Sequence, residues 1–384
     1  MEKLKVGIFN DSFPPVIDGV SQVLVNYGKI LTQNGCEVTV VTPRYKGAVY
    51  DYPYEVMTYT SFNPGDRIGY RVGIPFGPKS ISAAREKKFD IMHIHAPLAS
   101  SVMVRNVNRK SKVPVILTYH SKYDIDFLER MDNKLIQNIA VKFVRSNLYA
   151  ADEIWAVSSG CEESLRRMGY NGDFRVMENG TDFPFGKASG EAMDALRAKY
   201  SITDDETVFL YVGRLMWYKN VKLITDTLKV CRDKGLKFRF IMVGGGYDAD
   251  AIKARFNELG LENNVIYTGL IRDREYLRVF YSIADVFLFP STYDTSGIVV
   301  KEAAACSCPS VMVRNSCASE GAVDGVSAYL IEEQPEDFAR VLLGAASDRA
   351  KNGLVGENAA KTLYLPWETA VDKAQKRYLE ILGG

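Results

Sequence analysis

The sequence predicts an α/β chain of two Rossmann-like domains, each a parallel sheet wound by helices, facing across a cleft. Three observations lead there. At 384 residues the chain is longer than one hydrophobic core usually supports. Short apolar runs alternate with longer amphipathic segments, the pattern of buried parallel strands joined by crossover helices. That alternation breaks at a polar stretch, residues 184–206, and then restarts.

In the first half the strand-like runs are KVGIFN, EVTVVTP, DIMHIH, PVILTYH, EIWAVS and FRVMENG, with helices expected near residues 19–34 and 98–110. In the second half TVFLYVG, FRFIMVGGG, NVIYTG, DVFLFP, PSVMV and AYLIE supply another sheet, with helices near 219–234, 249–259, 273–283 and 298–305. The tail PWETAVDKAQKRYLEIL reads as an amphipathic helix that completes the first domain. The expected domains are therefore 1–183 with 367–384, and 184–366. Open sheets of this kind collect ligands at the carboxyl ends of their strands, so the expected chemistry lies in the cleft.

Composition narrows the possible functions. Net charge is +1, which gives no global electrostatic reason for a nucleic acid or membrane partner, so any basic surface must be local. No stretch reaches the ~20 apolar residues of a membrane-spanning helix, and the N-terminus lacks the apolar region of a secretory signal, so a cytoplasmic location is expected. Six dispersed cysteines without CxxC pairs read as buried free thiols.

The most informative segment is FPSTYDTSGIVVKEAAACSCP, residues 289–309. A strand ends at Phe289, a loop carries Asp294, and Gly297 opens a helix that carries Glu302. A helix N-terminus offers unpaired N–H groups and partial positive charge, a natural seat for a diphosphate. A carboxylate before it can accept from sugar hydroxyls, and one inside it can hold a ribose diol.

With Asp294 and Glu302 separated by seven residues, this segment resembles that of the family-four retaining glycosyltransferases (glycosyl transferases group 1), enzymes of the GT-B fold. The resemblance spans nearly the whole chain, through PPVIDGVSQVL, TYH at 118–120, VSSG at 157–160, ENGTD at 178–182, VGRLMWYKN at 212–220, VGGG at 243–246 and TGLI at 268–271. Two departures lie where the donor hexose would sit: Asp294 replaces the usual Glu, and Ser296 stands where an aromatic is general. The TYHSKYD stretch also looks like that of bacterial enzymes that glucosylate diacylglycerol.

The resemblance implies a role for each matching position. Arg214 and Lys219, after Gly213, would bind the diphosphate of a sugar-nucleotide donor and neutralise the leaving group, a task suited to fixed cations where no metal cofactor is required. Asp294 and Glu302 would hold the hexose hydroxyls and the ribose diol, beside the backbone of Gly297, Ile298 and Val299. The backbone around Ile271 would read the base, which suits uracil without excluding guanine or adenine. His120 would contact the transferred sugar, and Gly19 and Val20, expected in a loop before the first helix, would let phosphate or acceptor approach closely.

Other readings compete. His93 and His95 in DIMHIHAP suggest a metal pair, yet no neighbouring acid or cysteine completes a tetrahedral set. Asp124 and Asp126 form a DxD of the sort that binds a divalent ion in a different glycosyltransferase fold, and VGGGYD lacks the GxGxxG spacing of a dinucleotide site. Residues 127–149 put apolar side chains at helical spacing beside Lys134, Lys142 and Arg145, a pattern that suits an anionic membrane surface and a lipid acceptor. It equally suits a helix packed on its own sheet, and the segment also holds Glu129 and Asp132. A sugar-nucleotide epimerase or hydrolase on the same scaffold, a transferase acting on a small-molecule acceptor, and a binding protein without turnover are the alternatives to a retaining hexosyltransferase acting on a glycolipid or envelope precursor.

Overall fold

The computed structural model describes residues 3–16, 18–63, 71–128 and 133–383, the side chains of 126–128 excepted. It divides into two compact units, Met1–Asn179 with Trp367–Gly384, and Gly180–Pro366.

The first unit is built on β1 (Lys5–Phe9), β2 (Glu37–Pro43), β3 (Glu55–Tyr59), β6 (Ile91–Ile94), β7 (Val115–Tyr119), β8 (Glu153–Ala156) and β9 (Arg175–Val176), with a small antiparallel pair, β4 (Ser61–Phe62) and β5 (Val72–Gly73). The seven main strands run parallel in the order β3-β2-β1-β6-β7-β8-β9, so the winding reverses between β1 and β6. Around them lie α1 (Gly19–Gln33), α2 (Pro78–Glu86), α3 (Ala99–Ser111), α4 (Tyr123–Leu128), α5 (Lys134–Leu148) and α6 (Cys161–Arg167).

The second unit repeats the plan with β10 (Thr207–Val212), β11 (Phe238–Val243), β12 (Val265–Gly269), β13 (Val286–Phe289), β14 (Ser310–Val313) and β15 (Tyr329–Ile331), in the order β12-β11-β10-β13-β14-β15. Its helices are α7 (Gly190–Lys199), α8 (Val221–Asp233), α9 (Ala249–Glu258), α10 (Arg274–Ile283), α11 (Ile298–Ala305), α12 (Pro335–Ser347) and α13 (Arg349–Thr362). The chain then returns to the first unit as α14 (Trp367–Gly383).

The central strands are buried end to end because helices cover both sheet faces, which is why they read as unbroken apolar runs. In the second unit Val208, Leu210 and Phe287 face one core, while Phe209, Phe240 and Leu288 face the other. Edge strand β3 is only partly buried and lacks a continuous apolar run, so no expectation covered it. The polar stretch after the first sheet holds helix α7, whose N-cap Ser189 accepts from the Ala192 N–H. Helices α2, α4, α6, α12 and α13 were likewise absent from the expected elements.

Helix α5 starts at Lys134, because Asn133 adopts extended backbone and its Oδ1 accepts from the N–H groups of Leu135 and Ile136. The expected helix over 127–149 is thus shorter, and Glu129 and Asp132 lie outside the described residues. All six cysteines are buried and unbridged. Among the described residues no helix is long and apolar enough to cross a membrane.

Packing within the second unit is close enough to require glycine at specific points. A Cβ on Gly356 of α13 would come within 2.1 Å of the Ser307 carbonyl oxygen, a backbone atom that cannot swing away. Gly356→Ala is therefore expected to lower the melting temperature by about 5 °C, read by calorimetry, despite alanine's better helix propensity. An unchanged or raised melting temperature would show that α13 shifts freely on the sheet.

Candidate active site

Each sheet has one point where the winding changes direction and the carboxyl ends of two central strands splay apart. In the second unit that point lies between β10 and β13. Arg214 follows β10 and Asp294 follows β13, so the fold alone sets them at the two lips of one crevice.

Lys219 reaches the same place by a different route. Helix α8 does not begin at residue 219 as expected: Trp217–Lys219 form a 3-10 turn, Asn220 takes a left-handed conformation, and the helix opens at Val221. The Asn220 amide is held by the Pro290 carbonyl oxygen at 3.1 Å and by Glu333 at 2.8 Å, which ties the turn to the end of β13. Lys219 is consequently only 7% exposed, and its ammonium pairs with Asp294 Oδ1. Two tyrosines flank it, with Nζ 5.0 Å from the centre of the Tyr293 ring and 5.5 Å from that of Tyr218, and the Arg214 guanidinium lies 5.8 Å from the same Tyr218 ring. Asp294 Oδ2 is buried and meets no hydrogen-bond donor among the described residues.

The VGGG run builds the neighbouring wall. Gly244 has φ +133, and a Cβ there would lie 2.0 Å from the Gly213 carbonyl oxygen; one on Gly246 would lie 2.3 Å from that of Leu215. Only glycine lets the loop after β11 press against the Gly213–Leu215 backbone, where Leu215 N–H donates to the Gly245 oxygen at 3.0 Å. Ile271 sits in the adjoining loop after β12, partly buried against the core.

Gly297 caps α11, with Ile298 and Val299 as the first helical residues, so their N–H groups have no acceptor within the helix. A Cβ on Gly297 would meet Val300 at 2.9 Å. Glu302, one turn further in, is 4% exposed and fully engaged: Oε1 accepts from Arg274 at 2.6 Å and Oε2 from the Tyr281 hydroxyl at 2.7 Å. Arg274 also forks onto Asp182 at 2.5 and 3.0 Å and lies over the Phe183 ring. Burial pushes the Glu302 carboxyl above its usual range, and the Arg274 charge opposes that shift. Arg274, Asp182 and Tyr281 were not singled out in the sequence; Asp182 lies in the ENGTD motif, but a pair spanning 92 residues has no local signal.

The remaining candidates belong to the first unit. Gly19 and Val20 are not in a loop: they are the first two residues of α1, because Asp18 caps the helix by accepting from Ser21 N–H at 2.6 Å. His120, at the end of β7, is buried, and its Nε2 lies 2.9 Å from His95 Nδ1. Burial pushes its pKa down to about 3, so the ring is neutral at physiological pH. The His93 ring lies 4.0 Å from that of His95, and both nitrogens of His93 are engaged, by Tyr378 and Thr118, each at 2.6 Å. Asp124 is buried, accepts from Ser164 Oγ and pairs with Arg167 at 3.3 Å, while the Asp126 side chain lies outside the described residues. Asp11, also missed in the sequence, caps α3 by accepting from both the N–H and the hydroxyl of Ser100 at 2.9 Å, and burial lifts its carboxyl to about 6.

Two family models match the chain almost end to end: Glycosyltransferase Family 4 over residues 17–183 and Glycosyl transferases group 1 over residues 192–362. The alpha-monoglucosyldiacylglycerol synthase of Acholeplasma laidlawii is 24% identical over 93% of this chain and 92% of its own. Among solved structures, sucrose-phosphate synthase from Thermosynechococcus elongatus superposes with a TM-score of 0.79 at 19% identity, covering 99% of this chain and 100% of that one. Anabaena HepE in complex with UDP and glucose gives 0.78 at 19% identity, covering 98% and 100%. Doubly wound sheets in both units, their strand order and these matches agree: the chain is a glycosyltransferase and belongs to the group 1, family 4 enzymes of the GT-B fold.

Proposed function

We propose that this enzyme transfers a hexose from a nucleoside diphosphate sugar, a UDP-hexose, to an acceptor hydroxyl with retention of configuration and without a metal ion. One observation carries the reading: a buried ammonium, Lys219, held by Asp294 at the switch point of the second sheet and joined there by Arg214 and the opening of α11. A diphosphate arriving there meets the buried Lys219 ammonium, the exposed Arg214 guanidinium and the N–H groups that open α11, the charge compensation that a departing nucleoside diphosphate needs. The UDP held by the Anabaena neighbour fits that chemistry.

The step breaks the bond between the anomeric carbon and the donor phosphate oxygen and forms one to the acceptor oxygen on the same face. The acceptor proton passes to the departing diphosphate, whose negative charge Arg214 and Lys219 balance. Asp294, with one oxygen unengaged, is assigned to the hexose hydroxyls. Glu302 is assigned to the ribose diol, Ile271 to the base, and the N–H groups of Gly297, Ile298 and Val299 to phosphate and sugar. Neutral His120 is assigned to a hydroxyl of the transferred sugar, and Gly19 and Val20 to the acceptor or phosphate side.

A membrane glycolipid precursor is the proposed acceptor, with the enzyme peripheral at an anionic bilayer. Leu135, Ile136, Ile139 and Phe143 leave a row along α5 that is 69, 53, 59 and 40% exposed, on a helix that also carries Lys134, Lys142 and Arg145. Helix α5 packs on the core of the first unit through Val144 and Leu148, and this row lies on the face left outward, where an anionic bilayer could receive it. The name of the Acholeplasma relative, a glucosyldiacylglycerol synthase, points the same way.

Three outcomes are expected. Lys219→Ala lowers kcat by about a thousandfold in a radiolabelled UDP-hexose transfer assay while circular dichroism stays unchanged; turnover within threefold of the parent would remove the cation role. Turnover in excess EDTA matches that in buffer alone, and loss restored by magnesium would establish a metal requirement. Ile139→Glu reduces flotation with phosphatidylglycerol vesicles by about tenfold, leaving transfer to a detergent-solubilised acceptor intact; unchanged flotation would dismiss α5 as the membrane contact.

A further inference from the structure

The chain has three histidines, and the first unit gathers all three into one buried network. His95 and His120 meet through His95 Nδ1 and His120 Nε2 at 2.9 Å, with ring centres 5.1 Å apart and planes 19° from parallel. That is edge-to-edge contact in nearly one plane, the geometry of an N–H···N hydrogen bond. With both rings neutral, one nitrogen donates and the other accepts.

The direction follows from the far side of His95. Its Nε2 is buried and finds no hydrogen-bond partner among the described residues. If His120 donated, His95 would carry its own proton on that nitrogen, leaving a buried N–H with nothing polar to receive it. The neighbouring rings of Tyr27, at 5.4 Å, and His93, at 4.0 Å, offer a proton no more than a weak contact with a π face. If His95 donates instead, Nε2 keeps only a lone pair there and no orphan donor arises.

From this we infer that His95 is a positioning residue: it donates from Nδ1 to His120 Nε2 and so locks His120 in the tautomer protonated at Nδ1. His120 then serves the transfer reaction as a fixed hydrogen-bond donor and not as a general base. His93 imposes no such polarity, because both of its partners, Tyr378 and Thr118, are hydroxyls that can rotate to donate or accept. The consequence for catalysis rests on the assignment of His120 to the sugar; the tautomer itself does not.

The test is a long-range proton–nitrogen correlation spectrum of the full-length protein labelled with 15N-histidine, in which only three rings contribute. In the unsubstituted protein, His120 and His95 are each expected to show a protonated Nδ1 and a bare Nε2; His120 protonated at Nε2 overturns the inference. His95→Asn, whose side-chain amide can donate from a similar position, keeps the His120 signature. His95→Phe abolishes it, giving a tautomer mixture and a fall in kcat of about tenfold, the loss of one hydrogen bond in the transition state, with little change in KM. A His95→Phe protein in which the His120 signature persists refutes the inference. If the tautomer is as stated but His120→Ala turns over normally, the sugar assignment fails and the positioning role of His95 stands.

Discussion

A lysine ammonium buried to 7% exposure is costly unless a carboxylate lies beside it, and Asp294 supplies that carboxylate. Much of the second unit's local structure serves this pair. The left-handed Asn220, anchored to Pro290, stops α8 from starting a turn earlier and so keeps Lys219 in a tight turn. The glycines after β11 let the Gly213–Leu215 backbone lie low enough for the 3-10 turn to follow. The pair also leaves one acceptor open, since Asp294 Oδ2 meets no donor among the described residues.

Glu302 belongs to a different arrangement, although it shares a segment with Asp294. Arg274 bridges it to Asp182, so one guanidinium joins the opening of α10, the body of α11 and the start of the second unit. The bridge is satisfied within the protein and orders the wall formed by α10 and α11. A ligand reaching Glu302 would join oxygens that each already accept one bond, whereas one reaching Asp294 would find an oxygen that meets no donor among the described residues.

The fold was legible because parallel strands buried on both faces leave uninterrupted apolar runs, as in TVFLYV and FRFIMV. Edge strand β3 left no such run, and helices α2, α4, α6, α7, α12 and α13 went unread. Among the candidate residues, Arg214, Lys219 and Asp294 could be read because each stands at a strand end or in a short motif, and the fold brings them to one switch point. Arg274 could not, because its two acids come from sequence positions 28 and 92 residues away and only the folded chain brings them together. Helix α1 begins at Gly19, as the apolar spacing over 19–34 predicts; only the loop setting of Gly19 and Val20 fails, because the Asp18 cap makes them the first helical residues.

Helix α14 closes the first unit from the far end of the chain. Its Tyr378 stacks on Trp155 and bonds His93, and Trp367 packs against Tyr27. The ribosome therefore makes the whole second unit before the first can be sealed. During that interval the nascent first sheet leaves Trp155 and the histidines without their last cover, and stalled synthesis anywhere within 180–366 strands an aromatic surface that chaperones must shield.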